Sequence, residues 1–226
     1  HAKTFERLCM GQLHETLPRP AGTDPVDHYI QVLADKTGSL IAVSARYGAM
    51  LTRAGAATER VVEEFGEKIG VAFQLADDVI DLAGDSETTG KTPGTDLREG
   101  VDTMPVLLLR KALAAGELDA AGQAILSRLS TGNLADDAVL ADIVARLRLH
   151  PVLARTREMA MTWAREAVGA LAGLEDAVLA GTRERLDAAG PGGTEREAAL
   201  ADAAQRVALV REGMEQFARL LVDRAA

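Results

Sequence analysis

Apolar residues recur along most of this chain at steps of three and four, the spacing that lines one face of an α-helix. Phe5, Leu8, Cys9, Leu13 and Leu17 predict a first helix over residues 1–17, stopped by Pro18-Arg19-Pro20-Ala21-Gly22. Asp24 before Pro25 reads as an N-cap and first helical residue. Val26, Ile30, Leu33, Thr37, Leu40, Ser44 and Tyr47 then continue as one expected buried stripe. A further helix from about Thr58 to Leu82 carries Val61, Val62, Phe65, Ile69, Ala72, Phe73, Leu75 and Ala76. Thr103-Met104-Pro105 starts another, through Leu113, and helical patterns follow at about 117–129, 135–149, 151–174 and 194–226. Residues 84–100 are too rich in Gly, Thr and Asp for a regular element, so a long functional loop is expected there. Gly190-Pro191-Gly192-Gly193 reads as a flexible break, and residues 1–226 as one helical domain without internal repeats.

Composition agrees with an all-α fold. Aromatic residues make up only 3% of the chain while hydrophobic residues make up 47%, enough for a core but poor in strand formers. Charge narrows the choice of partners. Lys and Arg number 25 against 34 Asp and Glu, and the net charge of -9 gives no general attraction to nucleic acid or an anionic membrane. An anionic ligand would therefore have to be held by local cations or metal ions. The single Cys9 excludes an internal disulfide, and no apolar run approaches the roughly 18 residues of a membrane span. The polar opening His1-Ala2-Lys3-Thr4-Phe5-Glu6-Arg7 is unlike a secretory signal, so a cytoplasmic setting is expected.

The candidate chemistry sits on one helix face. Gln74, Asp77, Asp78 and Asp81 stand at i, i+3, i+4 and i+7, a spacing normally given to a core stripe. Carboxylates so placed raise one another's pKa and call for a cation opposite. Oxygen ligands suit Mg²⁺, which takes one or two carboxylates and fills its shell with water and substrate phosphate. The competing reading is a solvated acidic face. Val79, Ile80 and Leu82 around the acids, with no interleaved Lys or Arg, speak against it.

Lys36 and Thr37 lie inside the expected apolar stripe. Each alone has a bland explanation, a snorkelling ammonium or a hydroxyl bonded to its own helix. Lys91 follows Gly90 in the long loop after the acids, where the preceding strand and upstream Gly of a P-loop are absent. Taken together, the acids, the loop Lys and the Lys-Thr pair describe a site for a diphosphate bridged by Mg²⁺.

At these residues the sequence resembles the trans-isoprenyl diphosphate synthase, or polyprenyl synthetase, family. Gly70-Val71-Ala72-Phe73-Gln74-Leu75-Ala76-Asp77-Asp78-Val79-Ile80-Asp81 is similar to its second aspartate-rich motif. The run from Gly90-Lys91 through Asp96 to Gly100, with Thr103 and Pro105, resembles the segment after that motif. Lys36-Thr37-Gly38-Ser39-Leu40 resembles its Lys-Thr motif, and Gly11-Gln12 with Glu15 its Gly-Gln-x-x-Glu helix. The resemblance implies an antiparallel helical bundle around a deep cavity, a homodimer, and Mg²⁺-dependent joining of isopentenyl diphosphate to an allylic diphosphate. The product would be a longer trans-polyprenyl diphosphate, formed by ionisation, condensation and elimination. It further implies that Asp77, Asp78 and Asp81 serve the metal, with Asp96 an outer partner. Lys36, Thr37, Gln74 and Lys91 would hold the allylic diphosphate.

The chain also departs from the family pattern. The first aspartate-rich motif, its Arg pair and the upstream basic residues do not occur in the 226 residues. The other Asp pair, Asp136-Asp137, is expected to face solvent near a helix start. Val101 stands where many relatives carry Lys, and the stretch from about 171 to 200 is longer than the family's last connection. The expectation is a bundle incomplete at its N-terminal side, belonging to a synthase and inactive as this chain alone. The alternative is a noncatalytic helical subunit or remnant that pairs with a partner synthase, which the intact motifs disfavour.

Overall fold

The computed structural model describes residues 1–84, 92–190 and 192–224. Among them every regular element is helical. In chain order these are α1 (Ala2–Thr16), α2 (Pro25–Leu33), a π turn (Ala34–Gly38), α3 (Ser39–Leu51) and α4 (Ala56–Ala83). Then come α5 (Thr95–Arg98), α6 (Met104–Ala115), α7 (Ala120–Thr131), α8 (Asp137–Leu149) and α9 (Pro151–Ala170). A 3₁₀ turn (Leu171–Gly173), α10 (Leu174–Ala189) and α11 (Gly193–Asp223) complete the order.

Local chemistry explains where several helices begin. The Asp24 carboxylate accepts from the Val26 and Asp27 N–H groups at 2.8 and 3.2 Å, and Pro25 occupies the first helical position, where no N–H is missed. Asp119, Asp136 and His150 cap α7, α8 and α9 in the same way.

Helix α4 is the spine, packed between α3 and α9. One side contributes Val71, Leu75, Val79 and Leu82 to a core shared with α2, α6, α7 and α8. Its other side gives Phe65, Ile69 and Ala72 to a second core with α9, α10 and α11. Each of the larger side chains, fully withdrawn from water, contributes about 1.5–3 kcal/mol. The α3–α4 crossing is unusually close. A Cβ added at Gly70 would lie 2.5 Å from the Gly38 Cα, and one added at Gly66 would lie 2.6 Å from the Ala42 Cα. The pairs 38–70 and 42–66 run in opposite senses, so the two helices are antiparallel.

The π turn corrects the expected stripe. Its wider turn inserts an extra residue into the helical repeat, which rotates everything downstream relative to α2. Val26 and Leu33 are buried as expected, but from the last residue of the turn onward the buried positions are Gly38, Ser39, Ala42 and Ala49. Leu40 is 44% exposed, Ser44 is exposed, and Thr37 and Tyr47 are only half-buried.

Two further expectations change. The stretch 84–100, expected as loop throughout, contains α5, and its residues 85–91 lie outside the described residues. The helix expected over 151–174 ends at Ala170, and a separate helix, α10, occupies Leu174–Ala189. The expected break at 190–193 coincides with the junction of α10 and α11, with Pro191 outside the described residues.

Because Gly70 meets backbone rather than a flexible side chain, Gly70→Val is expected to lower stability by about 3 kcal/mol or to prevent folding. Gly213, in α11, has no atom within 4 Å of an added Cβ. Gly213→Ala is therefore expected to raise stability by about 0.5–1 kcal/mol through helix propensity. Urea unfolding midpoints for the two variants check both signs.

Candidate active site

The C-terminal end of α4 carries the acids, but the fold sends them in different directions. Asp77 is exposed and Asp81 half-buried. With Asp96 of α5 they line a cavity of about 370 Å³, shared with Ile80, Thr92 and Thr95. The Asp81 carboxylate accepts the Thr95 N–H at 3.2 Å, and its main-chain oxygen accepts the Gly94 N–H at 2.9 Å. Gly94 has φ +80°, and an added Cβ would lie 2.6 Å from the Val144 Cγ2, so glycine is required both by conformation and by space. Burial raises the Asp81 carboxyl to about 6, and the charge of Asp96 adds to the rise.

Asp78 turns inward and is only 6% exposed. Its carboxylate accepts the Tyr29 hydroxyl at 3.1 and 3.2 Å and the Met104 N–H, the first of α6, at 3.0 Å. It thus ties α4 to α2 and to the start of α6. Burial pushes its carboxyl up to about 8, against the two hydrogen bonds that pull it down. The Tyr29 hydroxyl is held protonated by its own burial and by the adjacent Asp78 charge. Asp78 is not among the residues lining the cavity of Asp77, Asp81 and Asp96. The structure therefore brings three of the four sequence-predicted metal residues to one place.

Lys36 and Thr37 belong to the π turn. The Lys36 ammonium pairs with Glu15 at 2.5 Å, and Gln12 donates to the same carboxylate oxygen at 3.0 Å. Gly11 gives the reason α1 can come so close, since an added Cβ would lie 2.9 Å from the Asp35 Cβ and 3.0 Å from the Lys36 Cγ. Thr37 borders Gly70, whose added Cβ would be 3.3 Å from the Thr37 carbonyl carbon. Gln74 is one helical turn beyond Gly70, about 6 Å along the axis and toward Asp77. Lys91 lies outside the described residues. Asp136 caps α8, and Asp137, with its side chain 86% exposed, pairs with Arg98 at 2.6 Å.

Sequence reading missed Tyr29, Arg7 and Asp35. Arg7 bridges Asp35 at 2.9 Å and Glu67 at 2.7 Å. The one available signal was Asp35 itself, an acid beside Lys36 within a stretch expected to be buried.

Among the described residues no three His, Cys, Asp or Glu side chains gather closely enough to hold a metal ion between them. The donor set still fits Mg²⁺, which needs only one or two carboxylates. Asp77 and Asp81 supply them, and no basic residue lines the cavity among the described residues.

Residues 1–139 match the family model described as polyprenyl synthetase. The chain is 39% identical over 177 residues to a nonaprenyl diphosphate synthase of Mycobacterium tuberculosis, covering 77% of this chain and 50% of the relative. It is 30% identical over 176 residues to heptaprenyl diphosphate synthase component 2 of Geobacillus stearothermophilus, covering 76% and 51%. In structure it is similar to a geranylgeranyl pyrophosphate synthase from Corynebacterium glutamicum complexed with calcium and isoprenyl diphosphate. That likeness has a TM-score of 0.69 at 31% identity and covers 100% of this chain and 58% of the other. The chain thus spans about half the length of the curated relatives it matches. Among the described residues no helix is long and apolar enough to cross a membrane. Since the matched residues 1–139 include α1, the π turn and α4, the helices that build this site, the chain belongs to the polyprenyl synthetase family.

Proposed function

We propose that this chain carries the allylic-diphosphate half of a prenyltransferase site that joins isopentenyl diphosphate to an allylic diphosphate. The observation that carries this reading is the cavity at the end of α4, on which Asp77, Asp81 and Asp96 converge. Carboxylate oxygens gathered at one cavity suit a divalent cation shared with a ligand phosphate. Asp77 and Asp81 would hold Mg²⁺, and Asp96 would bond to a group on the ion. When bound, the metal supplies positive charge for a departing diphosphate, in most such reactions the largest available catalytic effect.

The chain's own groups do the rest. Lys36, released from Glu15, donates to a diphosphate oxygen, with Thr37, Gln74 and Lys91 as further donors. Together they stabilise the diphosphate as the allylic C–O bond breaks and the leaving group departs with the electron pair. The isopentenyl double bond then attacks the allylic cation, and loss of a proton gives the longer trans-polyprenyl diphosphate. Asp78 holds the scaffold, fixing the start of α6 through Met104. The homodimeric state implied by the family resemblance and the cytoplasmic setting expected from the sequence are part of the proposal.

Calorimetric binding of inorganic pyrophosphate with Mg²⁺ tests the assignment on the 226-residue chain. Asp77→Ala is expected to weaken binding at least about tenfold, the worth of one charged contact, without lowering the unfolding midpoint. Unchanged affinity would overturn the metal assignment. Asp78→Ala, by contrast, is expected to cost about 1–3 kcal/mol of stability because the Met104 N–H and the Tyr29 hydroxyl lose their acceptor. With labelled isopentenyl diphosphate, an allylic primer and Mg²⁺, this chain alone is expected to show no elongation. Clear product formation would show that its own residues suffice.

A further inference from the structure

Helix α1 meets the π turn through three residues spaced by four, Arg7, Gly11 and Glu15, which places them on one face. Gly11 makes the close approach, Glu15 holds the Lys36 ammonium, and Arg7 reaches the backbone segment itself through Asp35. Asp35 is 8% exposed, and an acid so placed is tolerated only when its oxygens are satisfied. Arg7 Nε donates to its Oδ1 at 2.9 Å and Gln31 Nε2 to its Oδ2 at 3.0 Å. The other arm of the same guanidinium, Nη1, donates to Glu67 Oε2 on α4 at 2.7 Å. One planar cation therefore joins α1, the π turn and α4, a task suited to the fixed fork of an Arg.

We infer that Arg7 is a positioning residue, clamping the π turn through Asp35 and Glu67 so that Lys36 and Thr37 are presented to a diphosphate. The inference rests on the diphosphate reading of Lys36 and Thr37 and adds to it the group that sets their place. The turn is gripped from two sides. Gly38 abuts Gly70 on the inner side, and the Arg7 fork holds Asp35 on the outer side, with Lys36 and Thr37 between the two anchors. A π turn lacks the tight i+4 ladder of its neighbours, so its geometry depends on such outside contacts more than an α-turn does. Arg7 bonds to Asp35 and Glu67, neither of them assigned to the ligand, and its effect passes through the backbone of residues 34–38.

Three variants of the 226-residue chain separate the possibilities, Arg7→Gln, Arg7→Lys and Lys36→Ala. Each is measured for Mg²⁺-dependent pyrophosphate affinity, for hydrogen exchange of residues 34–39 and for its unfolding midpoint. Arg7→Gln is expected to weaken pyrophosphate binding about tenfold, the scale of one charge-assisted hydrogen bond. Faster exchange should be confined to 34–39, with the midpoint within a few degrees of wild type. Arg7→Lys keeps the charge but cannot reach both carboxylates in the same fork, so an intermediate affinity is expected.

If Lys36→Ala weakens binding and Arg7→Gln does not, the positioning role is overturned while the diphosphate reading stands. If wild type and Lys36→Ala bind alike, the diphosphate reading fails. Exchange at 34–39 then decides whether Arg7 still holds the turn, and unchanged exchange overturns that too. A loss of affinity that only tracks a general fall in the midpoint, without local exchange, likewise overturns the role.

Discussion

No side chain separates the end of the π turn from α4 where Gly38 meets Gly70, and the placing of Lys36 and Thr37 against α4 depends on that backbone contact. Helices separated by ordinary side chains sit 8–10 Å apart, and glycines on both partners bring them closer. The turn that carries Lys36 and Thr37 is thereby pressed against the helix that carries Gln74 and Asp77. The same antiparallel pairing puts Tyr29, before the turn, within reach of Asp78, after Gly70. A single pair of residues without side chains thus sets how closely the turn that carries Lys36 lies against the helix that carries Asp77.

The acids of α4 divide their work. Asp78 and Asp81 each accept a backbone N–H from the segment that follows, from Met104 at the start of α6 and from Thr95 at the start of α5. Both are therefore anchor points of the chain as well as charges, and of the three aspartates only Asp77 is left exposed. At the end of the same helix, Arg148 of α8 donates to the Leu82 and Gly84 carbonyls at 2.6 and 2.7 Å, where a cation complements the helix terminus. Burial makes a carboxylate costly to keep charged, which is the main reason Asp78 and Asp81 both sit well above the ordinary carboxylate range, and the nearby charges of Asp96 and Asp77 add to it. The net charge of -9 is in part the sum of such retained groups.

Much of this was legible in the sequence, for reasons that can be named. The starts of α2 and α9 were announced by Asp24-Pro25 and His150-Pro151, and the long apolar period of α4 left little choice of element. What periodicity could not reveal was a change of period. A stripe drawn at constant pitch ran on to Leu40 and Ser44, because nothing in Ala34-Asp35-Lys36-Thr37-Gly38 marks a π turn by composition. The inward turn of Asp78 was equally hidden, since Asp77, Asp78 and Asp81 share one helical face and only tertiary partners choose among them. Arg7, Asp35 and Glu67 are far apart in the chain, and only the fold brings them together. Helix α10 has a weak apolar stripe and starts just after Gly173, so its register did not stand out from the helix before it.

The π turn also has a consequence for how this segment can change. Each residue of an α-helix advances the side chains by about 100°. The π turn holds one residue more than a regular helix needs to reach the same place. Removing one of residues 34–38 would take up that slack and leave Ser39, Ala42 and Ala49 facing the core, whereas the same deletion within α3 just after Ser39 would rotate Ala42 and Ala49 by that angle. Spare length, rather than the identity of any one side chain, is what the turn gives this segment.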